Sequence, residues 1–151
     1  MLKYIYETEH KEDFNEVVLD FSIDETLDNG YMISDSLGAD IFLDINSIKE
    51  EVEKLIGLLE GKVESYGGGG NVNVIKSDRQ YTTLEDIFTD EDEEEMVCRI
   101  ETVEFLKIVL IWARENFQYK AQRGVMPEVE ADSALNWIDQ TKSYINTMEN
   151  F

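Results

Sequence analysis

This chain has little of what enzymes commonly use for chemistry. Its 151 residues include one cysteine, Cys98, one histidine, His10, and one proline, Pro127. A lone cysteine excludes an internal disulfide and fits a reducing compartment. One Cys and one His cannot assemble a conventional zinc site. Positive charge is also scarce: 13 Lys+Arg stand against 34 Asp+Glu, a formal net charge of -21. Such a surface repels the phosphates of nucleic acids and anionic membranes, so neither is expected as a partner. Long apolar runs are missing. The longest, FLKIVLIWA at 105–113, is too short to cross a bilayer and contains Lys107. The opening MLKYIYETEHKED lacks the apolar core of a secretion signal. A soluble, cytoplasmic protein is expected.

What is present describes one folded domain over 1–151. A hydrophobic fraction of 42% supports a packed core, and no Pro/Ser-rich linker or internal repeat divides the chain. In EVVLDFSID, Val17, Leu19, Phe21 and Ile23 alternate with polar residues, which predicts a strand with one face on a core. Asn-Gly in DNGY at 28–31 is a turn signal, and YMISDSLGADIFLDI reads as two short strands. Ile45, Ile48, Val52, Leu55, Ile56 and Leu59 recur at helical spacing. Ser47 with Glu50 reads as a capping box, and Gly61 sits where a C-terminal glycine belongs. Strands are expected near 71–76, 80–88 and 96–100. A central buried helix over about 102–119 and a last helix over about 130–149 should follow. Segregated strands and helices of this kind predict an α+β fold, with about three helices packed on a largely antiparallel sheet.

Two segments invite a search for chemistry. Four consecutive glycines, 67–70, precede Lys76-Ser77 in GGGGNVNVIKSD. A phosphate-binding Walker loop needs Gly, four residues, then Gly-Lys-Ser/Thr, opening a helix. Here Ile75 precedes Lys76, the following run alternates like a strand, and Glu60, Glu64 and Asp78 stand nearby. The glycines therefore read as a flexible helix-to-strand connection or a partner-facing loop. The acidic run DEDEEE, Asp90–Glu95, has calcium-loop spacing at Asp90, Asp92 and Glu94, with Glu101 at the twelfth position. Glu95 occupies the place that wants Gly, and flanking helices are not expected, so no metal site is assigned. Cys98 falls on the apolar face of a strand and His10 in a charged segment, with nothing in the spacing to pair them. The basic trio Arg114, Lys120 and Arg123 near the end of the central helix complements its dipole. No cofactor motif and no catalytic residue emerge.

The middle of the chain, about 47–117, resembles bacterial immunity proteins, which neutralise the toxic domains of contact-dependent and other polymorphic toxin systems. The segments that carry the resemblance are GGGGNVNVIKSD, the acidic DEDEEEMVCRIET and the hydrophobic VEFLKIVLIWARENF. It implies a one-to-one complex with a cognate basic toxin, often a nuclease, and no catalytic residue. The expected contacts are Asp90, Glu91, Asp92, Glu93 and Glu94 at a hairpin tip. Asp20, Asp24, Asp40 and Asp44 on outer strand faces join them, with Tyr66 and Tyr81 as aromatic anchors. An acidic DNA mimic or adaptor, and an enzyme of unrecognised type, are the alternatives. Oligomeric state is not legible.

Overall fold

A computed structural model describes residues 2–88 and 96–148. The chain is α+β, with four helices and two antiparallel sheets among the described residues. Strands β1 (Glu7–Lys11) and β2 (Glu16–Asp20) form a hairpin. Helices α1 (Tyr31–Ala39) and α2 (Ile45–Leu59) follow. A four-stranded meander of β3 (Ser65–Gly68), β4 (Asn73–Asp78), β5 (Tyr81–Asp86) and β6 (Val97–Glu101) precedes α3 (Thr102–Gln122) and α4 (Glu128–Asn146). No helix among the described residues is long and apolar enough to cross a membrane.

Helix α3 is the axis of the core. Phe105, Leu106, Ile108, Val109 and Trp112 are all buried, because the helix is apolar on nearly every side and has neighbours on nearly every side. Helices α2 and α4, strand β2 and the meander all pack against it. The meander turns Ile75, Leu84, Cys98 and Ile100 inward. Its outer face carries Val74, Lys76, Tyr81, Thr83 and Arg99. Strand β2 turns Val17 and Leu19 inward, as their alternation predicts. Its inner edge meets a side chain rather than another strand. The buried Asn116 of α3 accepts from Val17 N–H at 2.8 Å and donates to Val17 O at 2.9 Å.

Several expectations need correction. The segment 31–45 is not a pair of strands. Asn29 takes a left-handed φ of 60°, and Gly30 then starts α1 instead of closing a hairpin. Gly30 lies so close to the residue after β2 that an added Cβ would sit 2.5 Å from Phe21 O. Met32, Ile33, Ser36 and Leu37 are buried at helical spacing, a pattern hidden in the sequence by the polar Ser36. The cap of α2 is Asp44, whose carboxylate accepts from Ser47 N–H at 2.9 Å and Ser47 Oγ at 2.6 Å, so Ser47 and Glu50 form no capping box. Gly61 does follow the helix, with φ of 76°. Strand β1, which carries His10, has no apolar alternation because all five of its residues are exposed. The strand expected through Ile23 ends at Asp20, and Ile23 is exposed. The acidic residues Asp90, Glu91, Asp92, Glu93, Glu94 and Glu95 lie outside the described residues.

Asn116→Ala should lose about 2–4 kcal/mol in denaturant unfolding, because it strands both buried backbone groups of Val17. A loss below about 0.5 kcal/mol would show that this amide does not anchor β2.

Candidate binding surface at the loop end of the meander

Strand polarity places the glycine turn at one end of the four-stranded sheet. Strands β3 and β5 run toward that end, and β4 and β6 run away from it. The glycine turn 69–72 therefore sits on the same side as Ile87, Phe88 and Met96 at the ends of β5 and β6, joined where Ile87 N–H donates to Val72 O at 3.3 Å. The α1–α2 loop meets them there through Asp40.

The glycine turn does present a row of backbone N–H groups, and they already hold an anion. Asn71 N–H and Val72 N–H donate to Asp40 Oδ1 at 2.5 and 3.0 Å, and Asn73 N–H donates to Oδ2 at 3.1 Å. Ser36 Oγ donates to Oδ2 at 2.7 Å. A carboxylate has about four acceptor positions, so these donors fill it. Asn73 is buried, and its amide donates to Ser36 Oγ at 2.7 Å and Met32 O at 3.1 Å, while the Asn71 amide reaches Ala39 O at 2.6 Å. Gly70 is pressed onto the same carboxylate: a Cβ there would lie 2.1 Å from Asp40 Oδ1. An incoming phosphate would have to displace a carboxylate of this chain. Nor are the glycines simply a loose connection. Gly67 and Gly68 belong to β3, and Gly70 is fixed by Asp40.

Tyr66 is the strut under β3. It is half-buried, its hydroxyl donates to Glu51 of α2, and the Lys54 ammonium lies 5.3 Å from its ring centre. Burial, then the Glu51 carboxylate, raises the tyrosine pKa, and burial also raises Glu51 against the opposing pull of the Tyr66 bond. Tyr81 lies on the outer face of the sheet with the Arg99 guanidinium 3.7 Å from its ring centre. Tyr81 and the glycine strand line one cleft of about 590 Å³.

The remaining predicted contacts do not converge. Asp20 is on the β1–β2 hairpin and accepts from Ser22 N–H and Oγ, which lowers its pKa. Asp24, expected on an open strand face, is 6% exposed and follows the strand. It accepts from Thr26 Oγ1 and N–H and from Ile5 N–H, and its carboxyl falls below the usual range chiefly through the Thr26 hydroxyl. Asp40 and Asp44 lie on no strand face either; one fills the N–H nest and the other caps α2. The structure thus brings Asp40, Tyr66 and Tyr81 around β3 and leaves the others apart: Asp20 on the outer face of β2 as expected, Asp24 in the turn after it and Asp44 at the cap of α2.

The loop end also carries exposed apolar side chains that are not among the expected contacts. Phe88 is 69% exposed, Phe42 54%, Ile87 42% and Met96 36%. Phe88 and Met96 border the acidic run. Burial, and then the nearby charges of Asp40 and Asp86, raises the pKa of Asp35. Elsewhere, Cys98 is fully buried, with its thiol pushed up to about 12 by burial and then Asp28. His10 instead meets the Tyr119 ring at 5.0 Å between ring centres, tilted by 57°, so Cys98 and His10 do not meet each other. Glu101 is engaged by Lys3 Nζ at 2.7 Å and by the Tyr4 hydroxyl. Among the described residues, no group of three His, Cys, Asp or Glu is placed to hold a metal ion. Comparison with protein-family models, with curated proteins and with solved structures finds no match to this chain.

Two neighbouring glycines separate the roles in the turn. Gly70→Ala should destabilise the fold by about 1–3 kcal/mol through overpacking against Asp40 and the Asn73 carbonyl. Gly69→Ala, with nothing within 4 Å of its added methyl, should change the melting midpoint little. Equal effects of the two would remove Asp40 as the anchor.

Proposed function

We propose that this chain is an inhibitory protein of the immunity type, binding a cognate cationic toxin domain through the loop end of the meander and occluding its phosphate-binding groove. The observation that carries this reading is the exposure of Ile87, Phe88 and Met96 at the ends of β5 and β6, and of Phe42 on the α1–α2 loop, in a chain of net charge -21. Exposed aromatics ringed by charge are what a protein interface needs: apolar anchors that slow release and a polar rim that steers encounter. An enzyme that handles nucleic acid uses Lys and Arg to hold phosphate. A polyanionic inhibitor occupies that groove by charge and keeps it by its anchors.

The division of labour is kinetic. Carboxylates act at long range and raise the association rate towards roughly 10⁸ M⁻¹s⁻¹ at low salt. Desolvated aromatic contacts act at short range and set the dissociation rate. Salt therefore weakens capture more than retention.

The test is co-expression with the product of the gene immediately upstream, read by one-to-one co-purification and rescue from its toxicity. Failure to bind and to rescue would contradict the reading for that pair, and equal binding of unrelated basic proteins would favour a general DNA mimic. In such a complex, replacing Asp90–Glu95 by Ser and Asn should slow association about tenfold at low salt. Phe88→Ser should instead speed dissociation about tenfold or more. Stopped-flow mixing separates the two.

A further inference from the structure

The two outer edges of the meander are finished differently. Asp86 N–H donates to Met96 O and Thr102 N–H to Gln80 O, so the even-numbered residues of β5 bond to β6. Ile87 N–H donates to Val72 O, so the odd-numbered residues bond to β4. Alternation across β4 then assigns Ile75 and Ser77 to β3, where their partners are Gly68 and Tyr66. Ser65 and Gly67 are left with N–H and C=O directed away from the sheet. Both residues are exposed, and neither makes a backbone hydrogen bond outside the ladder among the described residues. On the opposite edge, the outward carbonyl of Val97 is capped by Asn29 Nδ2 at 2.8 Å. Strand β3 also lacks the usual defences of an edge: it has no proline, no charged side chain and no bulge.

We infer that β3 is a docking strand, to which an extended segment of the cationic partner adds as a fifth strand. The inference rests on the proposed function and names the contact by which the partner is held. Clefts lie on both faces of β3, as strand addition requires, because successive side chains of an added strand point to opposite faces. The outer cleft of about 590 Å³ includes Val74, Tyr81 and Thr83 together with Lys76 and Asp78, and its apolar part takes β-branched side chains. The inner cleft of about 150 Å³ is lined by Asp40, Glu51 and Lys54, a net negative charge, and with the Asp40 acceptors filled from within the chain it takes a Lys or Arg at Glu51. The occupant is therefore an extended segment alternating basic with apolar residues. A second copy of this chain is disfavoured, because pairing two β3 edges brings together two bodies of net charge -21.

Gly67→Pro tests the idea, since it deletes an outward N–H and leaves the groups of Tyr66 and Gly68 that bond to β4. Gly67→Ala keeps the N–H and is the control. Each variant, checked by its thermal melt, is titrated with a short synthetic peptide alternating lysine with valine and threonine. Amide resonances of the ¹⁵N-labelled protein report the site. Ser65 and Gly67 amides of the natural sequence should shift and gain exchange protection. Binding should fall about tenfold or more in Gly67→Pro and stay within about twofold in Gly67→Ala. If Gly67→Pro fails to fold, protection of the two amides in the natural sequence decides. Peptide binding that leaves these amides unchanged overturns the docking strand but not the cationic-partner reading. No interaction with the peptide overturns the docking strand, while rescue by co-expression tests the broader reading separately. Dimer formation that Gly67→Pro abolishes would identify the occupant as a second copy and overturn the assignment.

Discussion

The contact on which the loop end depends is the Asp40 carboxylate in its nest of backbone N–H groups. It joins two stretches far apart in sequence: the end of α1, and the glycine turn that leads into β4. Hydrogen bonds to a charged acceptor are among the stronger polar contacts, about 1.5–3 kcal/mol each. Here several converge on one side chain. The carboxylate fixes the turn from beneath, and Gly70 exists as glycine because no Cβ fits against it. With the turn fixed and Tyr66 tied to Glu51, β3 stays in register while its outer edge remains bare. The same carboxylate accounts for the fate of the glycines: their neighbouring N–H groups do cradle an anion, and it comes from within the chain.

Charge gives a second reason why a bare edge is tolerable. An uncovered strand usually invites pairing with copies of itself. A net charge of -21 opposes that encounter and favours encounter with a cation. Most of the few cations are turned to internal use. Lys76 pairs with Glu85, Arg114 with Asp139 and Lys3 with Glu101, while Arg99 stacks on Tyr81. Arg123 ties the end of α3 to the β1–β2 turn through Asn15 and Glu12, beyond its expected service to the helix dipole. These exposed pairs add little stability individually. Their effect is to leave the negative excess as the feature a partner meets.

The parts of the fold legible in the sequence are those where burial follows a simple period. Val17 and Leu19 alternate because β2 has one inner face. Helix α2 shows its stripe, and α3 its surrounding apolarity, because each meets the core in a regular way. Helix α1 was hidden because its buried face includes Ser36, which is there to bond Asp40 and Asn73. Strand β1 was hidden because it buries neither face. At the loop end, the glycines drew notice, but their partner Asp40 lies 31 residues before Asn71, a pairing that only the tertiary fold makes. Phe42 sits in an alternation that suggests a strand where the fold has a loop, and Phe88, an exposed aromatic beside a turn, looks like any rim residue.

The most direct measurement on this account is residue-resolved amide hydrogen exchange of the free protein across 65–73. Asn71, Val72 and Asn73 should exchange slowly, because their N–H groups are bound to Asp40, and Asp40→Asn should release them. Ser65 and Gly67 should exchange at rates near those of an open chain while Tyr66 and Gly68 are protected. Rapid exchange at 71–73 unaffected by Asp40→Asn, or protection of Ser65 and Gly67 in the free protein, would contradict an internally anchored turn that holds out a vacant strand edge.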